Sequence, residues 1–224
     1  MKKIAWLCYG VFFIAFGVQL WYAMSEVLTF TTIGKISIVS IQIIMLILGT
    51  LANIQTLSGQ QRKNDIRFAQ IIIFLIFLGN LGYLLFFDSD FGRTNHQDFY
   101  TFSEYFQLNV NLLPFNTINL YLDGYRSGVI TWSAMIINLI GNIVAFMPFS
   151  YFMPLLFKSQ RKFIVFFITM LGIIISVEVT QVLMQSGSGD VDDLILNMIG
   201  VILIYLLFKI PVLNRLIYGV DNRE

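Results

Sequence analysis

Residues 163–200 read FIVFFITMLGIIISVEVTQVLMQSGSGDVDDLILNMIG. The first part, Phe163 to Met184, is long and apolar enough to cross a bilayer, for which about 20 residues suffice. It nevertheless carries Glu178 and Gln181, and a few residues later come Asp190, Asp192 and Asp193, with Asn197 in the apolar run that follows. A charge at bilayer depth costs roughly 3 kcal/mol even on insertion-based scales, so an intramembrane Glu is retained for a partner or a pathway. Such a polar concentration in so apolar a stretch marks the working site.

Working outward, 57% of the 224 residues are hydrophobic and only 12% charged, against about a quarter charged in an ordinary soluble domain. The chain therefore reads as an all-α polytopic membrane helix bundle. Six segments reach or approach spanning length: Ile4 to Met24, Ile36 to Asn53, Phe68 to Phe87, Val129 to Phe157, Phe163 to Met184 and Leu194 to Phe208. The opening Met1-Lys2-Lys3 resembles a signal peptide, but no small-x-small cleavage site follows and the apolar run continues, so it is kept as a helix. No basic run suits nucleic acid. The single cysteine, Cys8, excludes an internal disulfide, and the single histidine, His96, excludes a histidine metal site.

Basic residues set the orientation. With a cytoplasmic N-terminus, eleven of the fourteen Lys and Arg fall on the cytoplasmic side, and only Lys35, Arg93 and Arg126 fall outside. Both termini are then cytoplasmic, and the loop from Asp88 to Thr131 and the turn carrying the three aspartates are exterior. That loop is rich in aromatics, with Phe99, Tyr100, Phe102, Tyr105, Phe106, Phe115 and Tyr121, a composition suited to the membrane surface.

Helical spacing groups the polar residues, since positions three or four apart share a face. Asn138 and Asn142 pair in the fourth span, Glu178, Gln181 and Gln185 in the fifth, and Asp190, Asp193 and Asn197 at the start of the sixth. All three stripes lie toward the outer half and can converge on one outward-facing polar pocket. Gly187 and Gly189 are expected to supply positive backbone angles for a tight turn, Asp190 to cap the sixth helix, and Pro148 to interrupt the fourth. Glu178, Asp193, Asp192 and Asp190 are the candidate acid–base groups, and Asn138, Asn142, Gln181 and Asn197 the candidate substrate-orienting ones. The same oxygens could hold a divalent cation. Alternatively, the pocket could bind a ligand without reaction.

Four runs carry a resemblance. They are Asn111-Leu112-Leu113-Pro114-Phe115-Asn116, Asn138 to Phe149 with Asn142, Phe146 and Pro148, the Glu178–Gln181 pair, and Asp190-Val191-Asp192-Asp193 through Asn197 to Gly200. In order and spacing the chain resembles the VanZ-like family over roughly Phe68 to Phe208. Residues 61–210 are then a VanZ-like membrane domain, 1–60 an extra N-terminal transmembrane hairpin and 211–224 a cytoplasmic tail. The resemblance adds Arg93, Asn111, Pro114 and Phe115 to the site, with Arg93 or Arg126 available to a phosphate. It implies a bacterial plasma-membrane protein tied to low-level glycopeptide resistance, teicoplanin in particular, with a lipid-linked cell-wall precursor or membrane lipid as partner. Phe149 and Ser150 depart from the small residues usual after the family proline, which bears on the packing of that helix.

Overall fold

A computed structural model describes residues 1–25, 31–88 and 100–218. Arg93, His96 and Phe99 lie outside the described residues. The chain is an all-α bundle, and among the described residues six helices are long and apolar enough to cross a membrane: 2–23, 33–54, 59–86, 132–156, 163–183 and 191–209. It divides into two compact units, Met1–Asn80 and Leu81–Glu224.

In the first unit, α1 (Lys2–Met24) and α2 (Thr32–Ile54) pack against each other. Gly49 allows the close approach, because a Cβ there would stand 2.6 Å from the Tyr9 ring. Farther along α1, Gln42 Nε2 donates to the Ala15 carbonyl (3.3 Å). The falling register, 9 with 49 and 15 with 42, shows that the helices run antiparallel. Phe12, Leu46, Ala69 and Ile76 form the apolar core with α3 (Gly59–Phe86). A relay of amides ties the three helices together: Gln42 donates to Gln19 and Gln19 to Asn80, both at 2.7 Å.

In the second unit, α4 (Phe102–Asn109), β1 (Val110–Asn111) and α5 (Asn116–Arg126) precede α6 (Trp132–Ala145) and α7 (Phe149–Leu156). A 3₁₀ turn (Lys158–Arg161) leads into α8 (Phe163–Leu183), and then come β2 (Gly189–Asp190), α9 (Val191–Lys209) and α10 (Pro211–Tyr218). Helix α9 is central and packs on α6, α7, α8 and α10. Its Tyr205 meets α8, which carries a fully buried stripe, Phe166, Met170 and Ile174, spaced four apart as one helix face requires. Tyr205 stacks on Phe166 with ring centroids 4.3 Å apart and donates its hydroxyl to the Arg161 carbonyl (2.7 Å).

The fourth span breaks between Ala145 and Phe149, with Pro148 at the start of α7, as the proline implies. The two residues that depart from the family pattern there both serve packing. Phe149 stacks on Phe146 (5.7 Å), and the buried Ser150 hydroxyl donates to the Val201 carbonyl of α9 (2.7 Å).

Two expectations need correction. The sixth span begins at Val191 rather than Leu194, because Asp192 and Asp193 sit in a first turn where exposed N–H groups and the helix dipole favour carboxylates. Gly187 and Gly189 do not take positive backbone angles; Gln185 does, at φ 50°. Gly189 is small for another reason, since a Cβ there would lie 2.7 Å from Val182 Cγ2. The loop between the third and fourth spans carries α4 and α5, and α4 starts at a capping box in which Thr101 and Glu104 each bond the other's backbone N–H.

Candidate functional site

The segment Asn111-Leu112-Leu113-Pro114-Phe115-Asn116-Thr117-Ile118 is folded onto the start of α9, and the aspartates hold it there. The strand β1 pairs in parallel with β2, setting Asn111 opposite Asp190. Asn111 Nδ2 donates to Asp190 Oδ1 (3.1 Å) and to Thr117 Oγ1 (3.1 Å), while its own Oδ1 accepts from the Leu113 N–H (3.1 Å). Thr117 donates its hydroxyl to Asp190 Oδ2 (2.5 Å). Asp190 Oδ1 also accepts from the Asp192 N–H (2.9 Å) and so caps α9.

Asp192 serves a different helix. Fully buried, it accepts from the Phe115 N–H at Oδ1 (2.5 Å) and from the Ile118 N–H at Oδ2 (3.1 Å). These are N–H groups at the start of α5, where no intrahelical acceptor exists, and a carboxylate there also meets the positive end of the helix dipole. Phe115 stands at φ 66°, a left-handed conformation that is uncommon for an aromatic residue and that these bonds over-determine. Both oxygens of Asp190 and of Asp192 therefore take donors from the loop, and Asp190 Oδ1 takes the Asp192 N–H as well. Pro114 is exposed in the turn itself.

Glu178 and Asp193 are half-buried beside this clamp. Glu178 Oε2 accepts from the Asp190 N–H (3.2 Å), which joins α8 to the start of α9. Asp193 Oδ1 accepts from Asn142 Nδ2, which joins α9 to α6. Tyr121 of α5 faces the same region. Burial pushes its phenol above the ordinary value, and the charges of Asp193 and then Asp190 push it further.

The remaining predicted residues are placed elsewhere. Gln181 is buried and donates Nε2 to the Leu85 carbonyl (2.8 Å), anchoring the end of α3. Asn138 is exposed and donates to the Ala134 carbonyl of its own helix (2.8 Å). Asn197 is buried with its Oδ1 unpartnered, on the α9 stripe between Asp193 and Gly200. Arg126 forms an exposed ion pair with Asp123 (3.0 Å), and Arg93 is outside the described residues. Among the described residues, no three His, Cys, Asp or Glu side chains group closely enough to hold a metal ion.

Three participants carried little signal in sequence. Thr117 and Tyr121 lie in a loop whose folding onto the aspartates is a tertiary event, and the Tyr105 hydroxyl reaches the Gly187 carbonyl (2.9 Å) across 82 positions of chain. The Asn111-to-Asn116 spacing is the local clue that was present, an Asx-type turn before a helix.

No curated protein and no solved structure matches the chain. The family model described as VanZ/LLP1 matches residues 74–214, more than half of the chain. That match spans α4 through α9 and with them the Asn111–Asp190 clamp and the Glu178 and Asp193 carboxylates. The four motifs thus point where the family model does, and the chain belongs to the VanZ/LLP1 family.

Proposed function

We propose that this protein contributes to low-level glycopeptide resistance, against teicoplanin in particular, by acting at the outer leaflet of the bacterial plasma membrane on a lipid-linked envelope precursor. In this reading both termini are cytoplasmic, which the distribution of Lys and Arg supports. One observation carries the assignment of roles. The carboxylates of Asp190 and Asp192 are committed to the loop, whereas Glu178 and Asp193 stand half-buried beside them, with Asn142 and Tyr121 at hand.

Glu178 and Asp193 are the acid–base pair in this proposal, moving a proton to or from a phosphate or hydroxyl of the precursor. Asn142 orients Asp193, and Asn138 offers an exposed amide one helical turn away. Asp190, Asp192, Asn111 and Phe115 position the loop. In a susceptible Gram-positive host, Glu178→Gln and Asp193→Asn should each remove protection against teicoplanin at an unchanged membrane level of the protein. Full protection by both variants would overturn the acid–base roles.

A specific observation favours a second reading, a binding module that masks a lipoglycopeptide or its lipid target. Phe102 and Phe106 are both exposed, with ring centroids 6.2 Å apart, and offer a stacking surface. In that case Phe102→Ala and Phe106→Ala would erode protection stepwise, and the carboxylate variants would leave it largely in place.

A further inference from the structure

The turn joining β1 to α5 turns its large apolar side chains away from the protein. Leu112, Leu113 and Phe115 are 74%, 69% and 57% exposed, although the backbone that carries them is held by the Asx-type bond at Asn111 and by both oxygens of Asp192. A turn fixed this firmly is not one whose leucines have failed to find a core; it is built to display them. Singly exposed apolar residues are ordinary on protein surfaces, but three of them on one rigid tip form a patch that marks an interaction site.

What covers the tip follows from where it is anchored. Asp192 lies in the first turn of α9, itself one of the helices long and apolar enough to cross a membrane. The tip is therefore held at the end of a spanning helix, where the hydrocarbon layer begins. No Lys, Arg, Asp or Glu occurs from residue 105 to residue 122, so no charge in the segment resists leaving water. Helix α5 then exposes a mixed surface, Asn116, Asn119, Asp123 and Arg126 together with Leu120 and Tyr125, as suits a helix lying at the level of headgroups.

We infer that Leu112, Leu113 and Phe115 form a wedge that inserts among the acyl chains of the surrounding bilayer beside the start of α9, and that Asp192 is the positioning residue that sets its depth. The inference stands independently of any reaction at Glu178 and Asp193. An inserted wedge would explain why a buried carboxylate is spent on the backbone of a surface turn. Its attachment point, α9, also carries Asp193, so the depth of the wedge and the depth of that carboxylate are fixed together.

The test uses the full chain with Cys8 replaced by Ala, in phosphatidylcholine vesicles. An environment-sensitive fluorophore is attached at Leu113→Cys or, as a control on the polar face of α5, at Asn119→Cys. The probe at position 113 should emit to the blue of the probe at 119, be quenched by doxyl groups on the lipid chains and resist aqueous iodide. The probe at 119 should show the reverse. Iodide quenching at 113 equal to that at 119, without doxyl quenching, would overturn insertion. Adding Asp192→Ala to the Leu113→Cys chain should restore iodide quenching at 113, while unchanged doxyl quenching in a folded variant would overturn the positioning role of Asp192.

Discussion

Gly200 of α9 lies so close to the carbonyl oxygen of Ile143 in α6 that a Cβ built on it would fall far inside van der Waals contact with that oxygen. The obstacle is backbone, which cannot swing aside as a side chain can. Gly200→Ala should therefore destabilise the protein by about 1–3 kcal/mol, the usual cost of overpacking. Gly141→Ala is the control, because nothing lies within 4 Å of its Cβ position. As a mid-helix glycine replaced by alanine it should be neutral or stabilise by up to about 1 kcal/mol. Thermal unfolding of the two purified variants should shift in opposite senses or, at the least, shift only for Gly200→Ala.

Thr117→Val keeps the shape of the side chain but removes the hydroxyl that donates to Asp190 Oδ2. Asp190 is buried, so an oxygen deprived of its donor has no water to replace it. The expected loss is about 1–3 kcal/mol. Asn111→Leu removes a donor to the other oxygen of the same carboxylate. The double variant should lose less than the sum of the two single losses, since the clamp opens once, and a double-mutant cycle by thermal or chemical unfolding reads that coupling directly.

Gln181→Leu tests whether this amide is structural. It would abolish the bond from Nε2 to the Leu85 carbonyl at a fully enclosed site. Stability should fall by about 1–2 kcal/mol, read from thermal unfolding of the purified variant. An unchanged melting midpoint would show that the bond contributes nothing measurable.

Alkaline pH should weaken the fold through Tyr121. Its phenol is held above the ordinary value by burial first, then by the charges of Asp193 and Asp190, whereas in the unfolded chain it ionises at about 10. The folded state thus keeps the proton that the unfolded state releases. The contribution is complete below about pH 10 and is lost as pH rises through the folded value. Tyr121→Phe should flatten that alkaline decline, as measured by unfolding midpoints taken from neutral pH upward.

The spans were legible because crossing a bilayer demands long apolar runs, and that demand is written residue by residue. The capping role of Asp190 was legible too, from its place before an apolar run. The use of Asp192 was not, since the N–H groups it binds lie 77 and 74 positions away in a segment with no long periodicity. Glycine spacing misled at the α8–α9 turn. There the left-handed residue is Gln185, and Gly189 answers to the crowding of Val182. Gln181 fell on the same helical face as Glu178 by spacing, yet a backbone carbonyl of α3 took its amide, a choice that only tertiary packing makes.

The pairing of Val110 and Asn111 with Gly189 and Asp190 also closes the polypeptide into a ring, with Asn111 bonded to a residue 79 positions farther on. Under tension applied at the chain ends, the ring carries no load until its clasp gives way. Helices α6, α7 and α8 all lie inside it. The protein should thus resist extraction from its bilayer as a locked loop until the clasp opens, and only then do roughly 280 Å of chain, at about 3.6 Å per residue, become open to extraction. Mechanically, the surface turn that looks most peripheral is the latch on half of the domain.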